Sequence, residues 1–176
     1  IVRSFNSIYG EVLVEPEAII PKEDTCGRLP GTDGKAKMSK SIGNCIYLSD
    51  DADTIIKKVM SMYTDPNHIR VEDPGKIEGN TVFTYLDVFA TDKDAVEDMK
   101  EHYKRGGLGD MKVKKYLNEV MQAELEPIRN RRIELEKDID AIYDMLKDGS
   151  DKARAVAANT LREVRAAIGI EYFTRK

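Results

Sequence analysis

Residues 31–44 read GTDGKAKMSKSIGN. The sequence before them is typical of a strand and turns, and the sequence after residue 48 has helical spacing. Within residues 31–44, residues 35–41 carry three lysines and two serines. Lysine supplies mobile positive charge, while hydroxyls and backbone amides add directional donors, so this composition suits a polyphosphate. It does not fit a Walker loop, because Leu29 stands where the first glycine is required and Ala36 replaces the Ser or Thr after the lysine. The stretch predicts a phosphate-binding loop of another kind, with a plain solvated loop as the alternative.

The sequence before this loop predicts a strand and turns. Ile8 and residues 12–14 are apolar and lie near Gly10, Pro16 and Pro21. One short strand fits this pattern better than a complete sheet. A parallel sheet needs several strands joined by crossover connections. We therefore expect these residues to be the end of a larger domain whose amino-terminal part is missing.

After residue 48 the apolar residues recur at helical spacing. Three short helices are predicted, from about 52 to before Asp65, at 82–89, and at 95–103 with a stop at Gly106. A long helix follows Asp110, and Pro127 should kink or divide it. The last predicted helix runs from Asp151 to Gly169, with Val156 and Leu161 facing inward. The apolar faces of residues 50–170 are expected to cover one another in a helical bundle or array. The pattern predicts a mainly α fold with two domains, residues 1–48 and 49–176.

Length and composition limit the class of protein. The chain has 176 residues, of which 41% are apolar and 34% charged, as is typical of a soluble globular protein. No apolar run approaches the ~18 to 20 residues that a membrane span needs, and no targeting segment is evident, so a cytoplasmic protein without membrane contact is predicted. Cys26 and Cys45 lack the spacing of zinc ligands, and no metal site is predicted.

Residues 37–41 spell KMSKS, the second signature of class I aminoacyl-tRNA synthetases. With the flanking residues 31–44, the later Tyr63–Pro66 and the ending at 149–169, the chain resembles the bacterial tryptophanyl-tRNA synthetases from about residue 5 to 173. The first signature of the class, a His-x-Gly-His motif, does not occur. The resemblance therefore implies the last strand and KMSKS loop of a Rossmann-like catalytic domain, followed by a helical anticodon-binding domain.

The resemblance also implies an activity and a set of site residues. Such enzymes are homodimers that activate tryptophan with ATP and Mg²⁺ and transfer it to tRNA(Trp). Lys37 and Lys40 would act on the phosphates, with Lys40 stabilising the departing pyrophosphate. The ATP-binding residues it implies are Arg28, Leu29, Lys37, Met38, Ser39, Lys40 and Ser41. Because the amino-acid pocket of the family lies in the missing half, this chain alone is expected to be inactive.

Basic residues on the predicted long helix are candidates for tRNA binding. Lys112 and Lys115 have few acidic neighbours in sequence, and tRNA supplies matching phosphates. Arg129 and Arg132 could serve the same purpose or could form a salt-bridged surface with nearby glutamates. In relatives the carboxyl-terminal helices receive the anticodon, where splayed bases can be read. Two alternatives stay open: a non-catalytic tRNA-binding module that keeps the loop, and the related tyrosyl enzyme, which the tail disfavours.

Overall fold

The computed structural model describes residues 1–20 and 28–172, and it divides into two compact units. The larger unit comprises residues 20–134, and the smaller unit combines residues 1–19 with the chain from Leu135 onward. The helices are α1 (Val2–Tyr9), α2 (Ala52–Met60), α3 (Thr81–Phe89), α4 (Lys93–Arg105), α5 (Asp110–Leu135) and α6 (Ile139–Ala167). The predicted mainly α fold is therefore confirmed. The domain boundary at residue 48 falls inside the larger unit and stays a prediction about the longer protein.

Side-chain caps begin most of these helices. A carboxylate or amide oxygen at the N-cap accepts a backbone N–H that has no partner within the helix, which is worth about 1 kcal/mol. The caps are Asp51 for α2, Asn80 for α3, Asp92 for α4 and Asp138 for α6. These caps explain why the three short helices begin within a few residues of their predicted starts.

The core of the larger unit lies between α2, α3, α4 and α5. Ile55, Tyr85, Leu86, Tyr103 and Leu117 are fully buried in it. Burial of each such side chain stabilises the fold by about 1.5–3 kcal/mol. The last buried residue of α5 is Leu125, so the part of the helix beyond it contributes no side chain to this core.

The strand predicted near Ile8 and residues 12–14 is absent from the residues described. Ile8 lies in α1, and the only bridge in these ranges joins Pro30 and Lys37. The local hydrogen bonds explain the difference. Asn6 donates through Nδ2 to the Leu13 carbonyl at 2.7 Å and accepts the Leu13 amide through Oδ1 at 3.0 Å. A side chain thus satisfies backbone groups that a strand would offer to a neighbour.

The two longest helices are divided at a place that the sequence pattern did not predict, whereas α6 ends next to Gly169 as expected. Pro127 lies inside α5 without dividing it, and its exposed position lets water reach the carbonyl that proline leaves unpaired. The division comes instead at residues 136–138, where Asp138 accepts the Ala141 amide at 2.9 Å. No boundary occurs near Asp151, since Gly149 is an ordinary member of α6.

The inward face predicted for the last helix is also wrong for the described residues. No residue of α6 is buried, and Val156 is 68% exposed. The shared core extends only over α2 to α5, and α6 belongs to the other compact unit. Among the described residues, the buried core cluster of α2 to α5 therefore includes no side chain of α6. None of the helices in the described ranges has the length and apolar composition to cross a membrane.

Candidate functional site

The KMSKS loop stands on a stem that the core holds in place. Pro30 and Lys37 form the bridge of this stem, and the Gly31 amide donates to the Ala36 carbonyl at 2.7 Å. Beneath it, the hydroxyl of the buried Tyr85 donates to the Pro30 carbonyl at 2.7 Å. Because Tyr85 belongs to α3, the stem is tied directly to the helical core.

A tight turn within the loop requires glycine at position 34. Gly34 has a φ of +68°, a conformation that side chains strain. A Cβ there would also lie 2.7 Å from Thr81 Oγ1 and 2.8 Å from Tyr63 Cδ1. Nearby, the Tyr63 amide donates to the Thr32 carbonyl at 3.0 Å. The turn thus packs against the connector after α2 and against the start of α3.

The two predicted catalytic lysines lie exposed on either side of Met38, which is partly buried. Met38 packs against the core, whereas Lys37 and Lys40 extend into solvent. Within the described ranges neither ammonium group has an ion pair or hydrogen bond. The hydroxyls of Ser39 and Ser41 lie 2.9 Å apart, so one donates to the other and the second hydroxyl keeps its proton for an external acceptor. The loop therefore offers two cations and a hydroxyl to an anion.

A cleft of about 440 Å³ joins this loop to α5. Its walls are residues 38–40, residues 45–49 and Arg132. The structure thus brings Lys40, predicted to bind ATP, to the same cleft as Arg132, predicted to bind tRNA. Of the other ATP-binding residues implied by the resemblance, Arg28 is exposed and Leu29 packs partly against the core.

Arg129 is held against the start of α2 and does not line this cleft. Its Nη2 donates to Gln122 Oε1 at 3.0 Å, and Gln122 in turn donates to the Ala52 carbonyl at 3.0 Å. The Nη1 of Arg129 is buried without a partner in the described part of the chain. The cap hydrogen bonds from Thr54 lower the pKa of Asp51, and the charge of Arg129 is a smaller contribution in the same direction.

The lysines of α5 divide into exposed and buried members. Lys112 and Lys115 are exposed, as the predicted tRNA contacts require. Lys114 is buried and donates to the Met60 carbonyl at the end of α2 at 2.9 Å. Burial lowers the pKa of Lys114. The sequence contained a signal for this burial, because Lys114 shares the helical spacing of Leu117, Met121 and Leu125.

Asp110, which the sequence analysis named only as the start of a helix, lies within hydrogen-bonding distance of three side chains from α4 and the connector at 63–68. Tyr103 donates to its Oδ1 at 2.7 Å, and Thr64 donates to its Oδ2 at 2.8 Å. His68 Nδ1 lies 3.4 Å from the same Oδ1. Burial, followed by the hydrogen bond to Asp110, raises the pKa of Tyr103. The connector at 63–68 is thus fixed to α4 and α5, which gives this part of the resemblance a structural role.

Replacing Asp110 should destabilise the larger unit. Asp110→Ala leaves the buried Tyr103 hydroxyl and the Thr64 hydroxyl without their acceptor, and an unsatisfied buried group costs about 1–3 kcal/mol. Urea denaturation should therefore show a loss of at least about 2 kcal/mol in the free energy of unfolding. Asp98→Ala is the matched control, since Asp98 is exposed on α4 and should change stability by less than about 0.5 kcal/mol. Equal stability of both variants would contradict the role of Asp110.

Within the described ranges, no group of three His, Cys, Asp or Glu side chains is placed to hold a metal ion. Cys45 is a free, buried thiol. Cys26, the other cysteine of the sequence, lies outside the described residues.

Comparisons with known proteins agree with this architecture. Residues 1–126 match the family described as tRNA synthetases class I (W and Y). A tryptophan–tRNA ligase of Clostridium longisporum is 74% identical over 174 residues, which cover 98% of this chain and 51% of that protein. One from Streptococcus pneumoniae serotype 4 is 64% identical over 176 residues, covering 98% of this chain and 52% of that protein. The chain therefore spans about half the length of these relatives.

A solved structure shows the same fold. It is the tryptophanyl-tRNA synthetase of Campylobacter jejuni in complex with ADP and tryptophan, which is 31% identical with a TM-score of 0.72. The alignment covers 96% of this chain and 51% of the other. The resemblance noted from the sequence is thereby confirmed, including its extent over nearly the whole chain.

Proposed function

Because the chain belongs to the class I tRNA synthetases (W and Y), we propose that it is the carboxyl-terminal part of a tryptophan–tRNA ligase. The complete enzyme would activate tryptophan with ATP, accompanied by Mg²⁺, and transfer it to tRNA(Trp) as a cytoplasmic homodimer. Tryptophan and ATP would be bound mainly by the half that this chain does not include. The observation that carries the proposal is the pair Lys37 and Lys40, which have no partner among the described residues. They lie on a stem fixed to the core of a chain 74% identical to such a ligase.

The chemistry of adenylate formation explains why cations belong in this loop. The tryptophan carboxylate forms a bond to the α-phosphorus of ATP while the bond from that phosphorus to the pyrophosphate oxygen breaks. Negative charge therefore accumulates on pyrophosphate, and a cation whose contact tightens as this happens lowers the barrier. Lys40 is assigned this role and Lys37 a supporting one, with the hydroxyls of Ser39 and Ser41 as further donors.

The basic groups of α5 are assigned to tRNA. Lys112 and Lys115 are exposed and would contact backbone phosphates. Arg132 shares the cleft with Lys40, so a tRNA phosphate or an anticodon base bound by Arg132 would lie beside the ATP loop. Arg129 is half buried, donates to Gln122 and has a buried Nη1, so its contribution to tRNA binding would be smaller than that of the exposed lysines.

The test of the proposed function is tryptophan-dependent exchange between ATP and pyrophosphate by the full-length protein. Exchange with tryptophan but not with tyrosine is expected. The same measurement separates the alternatives, because exchange with tyrosine alone would indicate the tyrosyl enzyme. Absence of exchange with both, together with tRNA binding, would indicate a non-catalytic module.

The chain of 176 residues alone should give no exchange. It contains no His-x-Gly-His motif, and the resemblance places the amino-acid pocket in the other half. A radioactive pyrophosphate assay at the enzyme concentration that gives full exchange with the complete protein checks this. Measurable exchange by the chain alone would show that these residues contain a complete active site.

A further inference from the structure

The carboxamide of Asn44 joins residues before Met38 in the KMSKS loop to residues after it. Its Oδ1 accepts the Ser39 amide at 2.8 Å, and its Nδ2 donates to Asp33 Oδ1 at 3.1 Å and to the Lys37 carbonyl at 3.3 Å. The backbone carbonyl of Asn44 also accepts the Thr32 amide at 2.9 Å. Asn44 is 5% exposed, so these hydrogen bonds are formed away from bulk water. One buried side chain thus satisfies backbone groups on both sides of Met38.

Gly31 provides the room for this carboxamide. A Cβ at position 31 would lie 2.1 Å from Asn44 Nδ2 and 2.5 Å from its Cγ, far inside contact distance. The backbone of Gly31 does not have a positive φ, so an alanine there is excluded by space and not by conformation. Gly31→Ala would therefore displace the carboxamide without removing any of its hydrogen-bonding atoms.

Asp33, which precedes the KMSKS residues, is the carboxylate that accepts from the Asn44 carboxamide. Its Oδ1 accepts both Asn44 Nδ2 and the Lys35 amide, the latter at 3.3 Å. The hydrogen bond from Asn44 is the largest cause that lowers the pKa of Asp33. The carboxylate therefore stays ionised, and an acceptor, at neutral pH.

We propose that Asn44, held by Asp33, is a positioning residue that sets the directions of Lys37 and Lys40 toward the ATP phosphates. The proposal rests on the proposed function of the loop. Asn44 binds the carbonyl of Lys37 and the amide of Ser39, so it fixes the peptide groups before and after Met38. Rotation of either peptide group would turn the side chain of Lys37 or Lys40 away from the phosphates, even if Met38 stayed packed on the core. Catalysis falls steeply when reacting groups are misplaced by about 1 Å.

The first test measures ATP–pyrophosphate exchange by full-length variants. Asn44→Ala should lower kcat about 10–100-fold and change the KM for tryptophan less than about twofold, as expected for lost positioning. Gly31→Ala should shift kcat in the same direction. Asn67→Ala is the matched control, because the Asn67 side chain is exposed and makes no hydrogen bond in the described residues; it should keep wild-type kinetics.

The second test exchanges the two partners. Asn44→Asp alone should be as impaired as Asn44→Ala, because two carboxylates would face each other. Combining it with Asp33→Asn restores a donor opposite an acceptor and leaves an acceptor for the Ser39 amide. The Lys37 carbonyl still lacks its donor, so the recovery is expected to be partial. This double variant should recover kcat at least about fivefold over Asn44→Asp. A merely structural requirement for asparagine at position 44 would not produce this recovery.

Amide hydrogen exchange in the full-length protein gives a measurement that does not depend on activity. The Ser39 amide should lose protection at least tenfold in Asn44→Ala and regain it in the double variant, while the amides of the helical core α2–α5 keep theirs. An active wild-type enzyme whose Asn44→Ala variant keeps kcat and Ser39 protection would overturn the positioning role alone. An inactive wild-type enzyme would overturn the proposed function, and the positioning role with it.

Discussion

Lys40→Ala in the full-length protein should reduce the rate of adenylate formation by a factor on the order of 10²–10³, the usual effect of removing one preorganised transition-state donor. The affinity for tryptophan should change little, because the proposed contact strengthens only as pyrophosphate departs. Lys40 has no protein partner in the described ranges, so its loss breaks no ion pair that the fold needs. Rapid-quench measurement of adenylate formation, with tryptophan affinity from the concentration dependence, separates the two quantities.

Lys35→Ala provides the control for this prediction. Lys35 lies in the same loop and is also exposed, but it precedes the KMSKS residues. It carries the same charge, so a purely electrostatic effect of the loop would appear in both variants. A rate loss confined to Lys40→Ala supports the assigned role, whereas equal rates in Lys40→Ala and wild type would end it.

Charge reversal at Lys112 or Lys115 should weaken the binding of tRNA(Trp) and flatten its dependence on salt. Each phosphate contact that is lost lowers the slope of log affinity against log salt by about 1. Both lysines are exposed on α5, so the substitutions should leave the core intact. Titrations of the full-length enzyme at several salt concentrations measure affinity and slope together. Lys57→Glu, a charge reversal at an exposed site of α2, should leave both unchanged.

The same titrations decide what Arg132 recognises. A phosphate contact affects every tRNA alike, whereas a contact to an anticodon base affects discrimination between cognate and anticodon-mutated tRNA. Arg132→Glu measured with both tRNAs distinguishes these outcomes. Wild-type affinity and slope in Lys112→Glu, Lys115→Glu and Arg132→Glu together would place the tRNA surface elsewhere on the enzyme.

The loop and the short helices could be predicted because their determinants are close in sequence. Asp51 and Asn80 cap helices within three residues of the groups that they bind, and the apolar spacing of α2 to α4 is regular. The strand could not be predicted correctly, because pairing depends on a neighbour and Asn6 occupies the backbone groups of Leu13 instead. Propensity at these positions was thus overridden by one local side chain.

The details of the site depended on contacts between residues distant in sequence. Tyr85 lies 55 residues from the Pro30 carbonyl that it supports, and Lys114 lies 54 residues from the Met60 carbonyl. No local pattern contains such pairs. The apolar spacing of α6 was read correctly as helical, but spacing alone does not say whether a partner surface lies within the same chain, and Val156 is exposed.

The stem between Pro30 and Lys37 has a thermodynamic consequence for anion binding. Fixing the backbone of one unrestrained residue costs about 1–2 kcal/mol, and a ligand that had to order a loop would lose this amount of affinity for each residue. Here Tyr85 and Met38 fix the stem and the loop centre during folding. An incoming polyphosphate then has to immobilise only the side chains of Lys37 and Lys40, at up to about 2 kcal/mol each. The entropic cost of ordering the loop is thus met when the helical core folds, and it is not subtracted from the affinity for the anion.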